Sequence, residues 1–438
     1  MSKRKRKQLD PTPFECAITD LASDGRGVAR RDGKVVFVAD ALPGERVRAR
    51  AVKSGRDADE ARTLEVLTAS PDRVEPGCAH FGLCGGCVLQ HLSPPAQRHF
   101  KQRQLAEAFG RIGGVTPEQW VEPLAAGEWG YRRRARLGVK YVPAKGGTLV
   151  GFRERGNPFL AVLERCEVLD ERVGAHLRDI GSMIDTLSIR ERIPQIEVAA
   201  TDRVALVFRV LEAPSGDDRN RLARFGRSFG FDIWLQTGGP ETAAPLGDAP
   251  LPRFSPDGGE TTLAMRPTDF IQINGPLAQA MVGRALAWLG PVADRRVLEL
   301  FAGLGHFTTP LAAAGAQVTA IEGEAGLVAR GRANTEAAGH AVDWRCADLF
   351  AESAGAGWAT EGYELALLDP PRAGAREVLP DLVAAGVRRI VYVSCHPATL
   401  ARDAGILVTE HGFRLERACV MDMFPHTAHV ESMALLTR

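Results

Sequence analysis

Hydrophobic and polar positions follow four successive rhythms along the chain. Across residues 14–67 they alternate in short runs (FECAITDL, KVVFVADA, ERVRARAV), broken by turns at Asp24-Gly25, Asp32-Gly33 and Pro43-Gly44. Alternation with period two between glycine and aspartate turns predicts short strands. About fifty residues of this kind make a small closed barrel, a common nucleic-acid platform. Residues 97–112 (QRHFKQRQLAEAFGRI) read as a basic helix. Alternation returns over residues 131–264 in RARLGVKYV, IEVAATDRVALVFRVL and FDIWLQTG, which predicts an antiparallel sheet. The Pro/Gly-rich stretch 237–259 is expected as a long hairpin loop or an extended connection. From about Pro267 apolar strands alternate with helical segments, the pattern of a doubly wound parallel sheet. Its strands are predicted at 296–301, 317–322, 342–348, 365–369 and 389–394.

A length of 438 residues suits two to four domains, and 45% hydrophobic with 25% charged residues is ordinary for a soluble globular chain. No apolar run reaches the length of a membrane span. The basic run at residues 3–7 is expected to be disordered, and no apolar segment follows it, so no secretory signal is expected. Eight cysteines are too sparse for a disulfide scaffold and point to a reducing cytoplasm. The net charge of +1 hides an asymmetry: residues 1–67 hold 15 Lys+Arg against 11 Asp+Glu, and residues 97–140 hold 9 against 4. A basic front half suggests a polyanionic partner. Arg132, Arg134 and Arg136 would share one strand face by period two, a face suited to RNA phosphates or stacked bases.

Cysteine spacing adds a candidate metal site. Cys78, Cys84 and Cys87 lie within ten residues, the last two spaced CxxC with Gly85 and Gly86 between them. Cys166 is the best candidate for a fourth thiolate. Zinc and a [4Fe–4S] cluster both accept four thiolates, and the irregular spacing favours iron–sulfur.

In the last third, Gly303 and Gly305 form a glycine turn after the first strand, and Glu322 ends the second, 17 residues after Gly305. Such a turn lets a ligand approach the backbone, and the acid accepts ribose hydroxyls. Thr308 stands where a dinucleotide motif needs its third glycine. S-adenosylmethionine is therefore favoured over a nicotinamide, with Asp348 facing the adenine. Asp369-Pro370-Pro371-Arg372 resembles a methyl-transfer acid loop, and Arg372 replaces the aromatic of amine methylases. Cys395 follows the strand RIVYVS, where open α/β sheets bind ligands. Uracil C5 is a poor nucleophile until a thiolate adds at C6 and makes the ring an enolate. A site that uses Cys395 in this way is expected to lower its pKa. The reaction also needs a base for the C5 proton, and Glu431 fits, sharing a strand face with His429 and Met433.

These motifs carry a resemblance. LASDGRGVARRDGKVVFVADALPGERV resembles the TRAM domain, an OB-like RNA-binding barrel. QINGP, ELFAGLGHF, AIEG, LLDPPRAG, YVSCHPATLARD and FPHTAHVES resemble the RNA C5-uracil methyltransferases over nearly the whole chain. The resemblance implies Cys395 as nucleophile and Glu431 as proton acceptor. It places Gln272, Phe301, His306, Glu322, Asp348 and Asp369 around S-adenosylmethionine. It also implies a [4Fe–4S] cluster on Cys78, Cys84, Cys87 and Cys166, with no redox role in methylation. His306, His396 and Asp348 stand where the family more often has asparagine. Barrel and cluster cysteines together favour the branch acting on 23S ribosomal RNA; a cytoplasmic monomer is expected. The expected multidomain fold has a basic tail (1–9), a TRAM barrel (10–68) and an α+β central domain (69–96 and 127–266). A helix (97–126) packs on the α/β Rossmann-like methyltransferase domain (267–438). Transfer RNA as substrate, and an RNA-binding or chaperone protein with a vestigial catalytic domain, are the alternatives.

Overall fold

The computed structural model describes residues 12–351 and 357–438, so the basic run at residues 3–7 lies outside the described residues. The chain forms two compact units. One comprises Met1–Lys101, Arg153–Pro158 and Pro425–His429; the other comprises Gln102–Phe152, Phe159–Phe424 and Val430–Arg438.

The first unit is built on a six-stranded sheet. Its order is Phe14–Ala17, Arg46–Ser54, Ala58–Thr68, Lys34–Ala39, Gly27–Arg31, Asp20–Leu21. Alternation sends Val36, Val38, Val47, Ala49 and Ala61 into one core, while Arg46 and Arg48 face outward and meet Glu15. Glu45 is buried, yet its carboxylate accepts the Leu42 and Ser70 amides and pairs with Arg73 at 2.5 Å. A buried charge is tolerable when its lone pairs are filled in this way. The loop Pro425–His429 is tied down by Gln97, whose Oε1 accepts the His426 amide at 2.7 Å.

The second unit holds two large sheets. In the catalytic sheet we label β1 Arg296–Leu300, β2 Gln317–Glu322, β3 Asp343–Cys346, β4 Leu365–Leu368, β5 Arg389–Ser394, β6 Arg414–Met421 and β7 Glu431–Thr437. Their order is β3-β2-β1-β4-β5-β7-β6, with the short strand Gln119–Trp120 beyond β6. Strands β1 to β5 are parallel, and β7 runs antiparallel to both β5 and β6. The buried runs VLEL, LALL and IVYVS carry a core shared with Leu105, Phe109 and Val115. The helix expected over 97–112 spans Pro94–Ala108 and continues as a π turn, Phe109–Gly113. At Gly113 a Cβ would lie 2.3 Å from the Ala401 carbonyl, so only glycine lets this turn touch the helix Pro397–His411 that follows Cys395.

The other sheet corrects the antiparallel expectation for residues 131–264. Val204–Arg209 and Phe231–Gln236 pair in parallel, because the helix Gly216–Phe229 between them makes a crossover instead of a hairpin. Stretch 237–259 holds a 3-10 turn, Pro240–Thr242, and two-residue strands, Ala244–Pro245 and Arg253–Phe254. The arginine face is also revised. Arg132 precedes the strand Arg134–Val142, and Arg134 and Arg136 both bind the buried Glu197 carboxylate, at 2.8 and 3.0 Å. Arg134 further donates to the carbonyls of Val198 and Asp269, so its guanidinium is committed within the protein. Among the described residues, no helix is long and apolar enough to cross a membrane.

Candidate active site

The site lies at the C-terminal ends of β1, β2, β4 and β5, where parallel sheets leave a crevice. Strand β1 ends at Leu300, and Phe301 follows with φ of 63°. A non-glycine residue in that region is uncommon, and such strain collects where a ligand is clamped. Gly303 and Gly305 also have positive φ, 56° and 93°, and form the tight turn between β1 and the helix Thr308–Ala313. Glu322, the last residue of β2, accepts the Gly303 amide at 3.0 Å through one oxygen and the Glu324 amide at 3.0 Å through the other. The expected acid is thus fixed beside the glycine turn. Asp348 is exposed just past β3 and accepts the Phe350 amide at 2.9 Å, and the Phe350 ring lies 5.7 Å from that of Phe301.

Asp369 follows β4 and takes a long hydrogen bond, 3.5 Å, from Gln272 Nε2. Its rim stays partly accessible, but burial pushes its carboxyl up to about 7, with the Gln272 bond opposing. Arg133 donates to the Gln272 carbonyl at 2.8 Å, which holds the QINGP segment in place. His306 stacks on Phe254 at 5.8 Å. Burial drives its pKa down to about 3, so the imidazole is neutral at physiological pH and offers one donor and one acceptor. Its Nε2 has no hydrogen-bond partner.

Cys395 and Glu431 come together through strand register. Strands β5 and β7 pair as far as Ser394 with Ser432, and extending that register by one residue sets Cys395, just past β5, opposite Glu431, whose charge acts on the thiol. Glu431 is buried, 8% exposed, and opens β7, whereas His429 precedes the strand instead of sharing its face. Burial first, then the charges of Glu431 and Asp369, push the Cys395 thiol up to about 11; Arg372 and a backbone hydrogen bond pull the other way. This reverses the expectation of a lowered pKa. A thiol in a half-buried pocket with two carboxylates loses more from desolvation and repulsion than one arginine returns. Behind it, the buried Asp403 accepts the Tyr392 hydroxyl at 2.7 Å and the Ala375 amide at 2.8 Å, tying β5 to the loop after Asp369.

One acid was missed by sequence reading. Glu299, inside β1, is 1% exposed, and one of its carboxylate oxygens has no partner. Burial raises its pKa to about 8, with Thr308 opposing and the charges of Asp369 and Glu322 adding. A lone acid in an apolar strand, four residues before Gly303, was the available signal. The cysteine motif lies in the first unit. The Gly86 amide donates to Cys84 Sγ at 3.4 Å, and the charge of Cys78 helps raise the Cys84 pKa after burial. Cys166 belongs to the second unit, and its amide donates to the Gly174 carbonyl. Among the described residues, no three or more His, Cys, Asp or Glu side chains form a ready metal site, and no cysteine forms a disulfide.

A doubly wound sheet with an adenosine-type turn, an acid loop, and a thiol facing a carboxylate across one ladder defines a methyltransferase of the RNA uracil-C5 class. Comparison with known proteins agrees. The family described as tRNA (Uracil-5-)-methyltransferase matches residues 357–438, and the TRAM domain matches residues 14–57. The 23S rRNA (uracil(1939)-C(5))-methyltransferase RlmD of Alkalilimnicola ehrlichii is 52% identical over 440 residues, covering 99% of both chains. That of Stenotrophomonas maltophilia is 49% identical over 443 residues, again covering 99% of both. The crystal structure of Pyrococcus abyssi tRNA (uracil-54, C5)-methyltransferase, in complex with S-adenosyl-L-homocysteine, shares the fold. Its TM-score is 0.74 at 24% identity, over 97% of this chain and 99% of that one. The chain belongs to the RlmD family of 23S rRNA uracil-C5 methyltransferases.

Proposed function

We infer that this enzyme methylates C5 of one uridine in 23S ribosomal RNA, the position for which its relatives are named. The observation that carries the reading is the register that sets Cys395 opposite Glu431 beside Asp369. Intact Cys395, Glu431 and Asp369 argue against a vestigial catalytic domain. The experiment is direct: incubate the purified protein with S-adenosylmethionine and 23S RNA that lacks the modification, then map 5-methyluridine by nuclease digestion and mass spectrometry. One new 5-methyluridine in 23S RNA supports the reading. Methylation of transfer RNA alone would move the enzyme to the alternative substrate, and no methylation of either RNA would sink it.

The roles follow from position. S-adenosylmethionine, when bound, supplies an activated methyl group and a positive charge to a pocket of carboxylates. Glu322 would hold the ribose hydroxyls, Phe301 and Asp348 the adenine end, and Gln272 and His306 the remaining polar groups. Glu299, with its unpartnered oxygen, suits the α-amino group. Cys395 as thiolate adds to C6 of the flipped uracil, so that C5 gains the electron pair needed for attack. Glu431 then removes the C5 proton, and the returning electron pair expels the thiolate. Asp369, whose charge reaches Cys395, would lie beside the target ring. The first unit and the arginine-bearing segments would hold the RNA in the cytoplasm, with Arg132 and Arg136 better placed than Arg134.

The resting thiol sets a pH dependence. A group raised to about 11 is neutral at pH 7, and its thiolate fraction grows about tenfold per pH unit as pH rises toward that value. Alkylation of Cys395 by iodoacetamide, followed by peptide mass spectrometry, is expected to accelerate from pH 7 to 9 without a plateau. Saturating S-adenosylmethionine shifts the curve to lower pH, and S-adenosylhomocysteine, which lacks the sulfonium charge, shifts it less. A plateau near pH 8 in the free protein would contradict the raised value.

The cysteine motif is proposed to carry a [4Fe–4S] cluster on Cys78, Cys84 and Cys87, with Cys166 as the fourth thiolate implied by family resemblance. Thiolate donors and the Gly86 amide directed at Cys84 Sγ fit such a group. No step of methyl transfer runs through it. Anaerobically prepared protein is expected to be brown with four irons, and Cys84→Ala to lose most of that iron while S-adenosylhomocysteine affinity stays within about threefold. A colourless protein holding one zinc would replace the cluster with a zinc site.

A further inference from the structure

Within the second unit, apart from Cys395, lies a cavity of about 510 Å³, within the range of ligand pockets. Its wall includes Trp129, Arg133, Arg253 and Phe254, and no residue of the acid loop or of β5. Two features mark it as a built site. Arg133 is only 9% exposed, and its Nη2 has neither hydrogen-bond partner nor solvent. It forms no ion pair among the described residues, although leaving a buried guanidinium donor unsatisfied costs stability. The Arg253 guanidinium donates to Thr262, through its hydroxyl and carbonyl, and forms no ion pair among the described residues.

The second feature is aromatic. Trp129 is 41% exposed at the cavity, and Phe254 lies between the Arg133 guanidinium, 5.1 Å from its ring centroid, and His306. Aromatic and guanidinium planes are what proteins use to stack unpaired RNA bases, and guanidinium groups also meet phosphate. Acids are present, but Asp170 is paired with Arg172, and Asp202 accepts the Arg253 and Arg203 amides. The cavity floor joins the cofactor side through Arg133, which holds Gln272, and through Phe254, which holds His306.

We propose that this cavity takes a second unstacked nucleotide of the substrate RNA, its base against Trp129 and its phosphate toward Arg133 and Arg253. Extraction of one base leaves its neighbours without stacking partners, and a pocket on the same unit recovers part of that loss. The proposal rests on the RNA-methylating reading of the chain. Occupation of the cavity would press on Gln272 and His306, so correct RNA would firm up the cofactor site.

The test is a mutant cycle on RNA affinity, read by fluorescence anisotropy with the S-adenosylhomocysteine-loaded full chain and a labelled 23S fragment. Single abasic sites are placed in turn at each nucleotide around the target. Turnover is measured in parallel on the same preparations. Trp129→Ala is expected to weaken binding about tenfold. One abasic position weakens wild type similarly but adds nothing in Trp129→Ala. Arg133→Met weakens binding as well, and, because Arg133 is buried, Arg253→Ser serves as the exposed counterpart. If Trp129→Ala and Arg253→Ser bind as wild type does, or if no abasic position couples to Trp129, the pocket reading is overturned. Coupling without uridine methylation by wild type would overturn the proposed reaction and leave the pocket standing.

Discussion

Replacing Cys395 by alanine is expected to lower methylation of 23S RNA by on the order of 10⁴-fold or more. Without a thiolate at C6, uracil C5 has no enolate to attack from, and no nearby group can substitute. Asp369 and Glu431 are the other ionisable groups that act on Cys395, apart from Arg372, and both are carboxylates. A carboxylate is a far weaker nucleophile toward C6 than sulfur. Folding is not expected to suffer, because Cys395 is only partly buried and lies just past the end of β5. S-adenosylhomocysteine affinity, measured by calorimetry, should therefore stay near the wild-type value while turnover disappears. Alanine with substantial turnover would rule out covalent catalysis by this thiol.

Glu431→Gln is expected to behave differently. Glutamine keeps the size of the buried side chain and removes its capacity to accept a proton. Methyl transfer should still occur, but the C5 proton stays on the ring and the thiolate cannot leave. Turnover falls by about 10²- to 10⁴-fold, the usual worth of a general base. A protein–RNA adduct carrying the transferred methyl accumulates and is visible as a shifted band on a denaturing gel. Glutamine also removes one of the two charges that raise the Cys395 pKa, so the adduct should form no more slowly than in wild type. Free turnover by this variant would assign proton removal to another group.

Much of the catalytic domain was legible in the sequence, for a physical reason. Parallel strands covered on both faces read as unbroken apolar runs, and β2 and β5 begin and end where those runs do. The π turn Phe109–Gly113 was not legible, because it depends on contact with the distant helix Pro397–His411. Nor was the parallel pairing of Val204–Arg209 with Phe231–Gln236, since strand alternation carries no direction. The state of Cys395 depends on Glu431 and Asp369, which only the sheet brings near it. The arginine run shows the same limit. Period two singled out Arg132, Arg134 and Arg136, yet Arg134 is committed to Glu197 and to the Val198 and Asp269 carbonyls, while the Arg136 side chain stays 67% exposed. The alternate residue, Arg133, is the one with an unpartnered buried donor.

The measurement that bears most directly on this account is the identity of the residue joined to RNA in a trapped complex. With 5-fluorouridine at the target position, the C5 substituent cannot leave as a proton, so elimination is blocked after methyl transfer. Digestion of the complex and tandem mass spectrometry should place the modified nucleotide on Cys395, with one added methyl group on the ring. Attachment to any of the other seven cysteines, or turnover of natural RNA without a trapped complex on the fluorinated one, would contradict the mechanism.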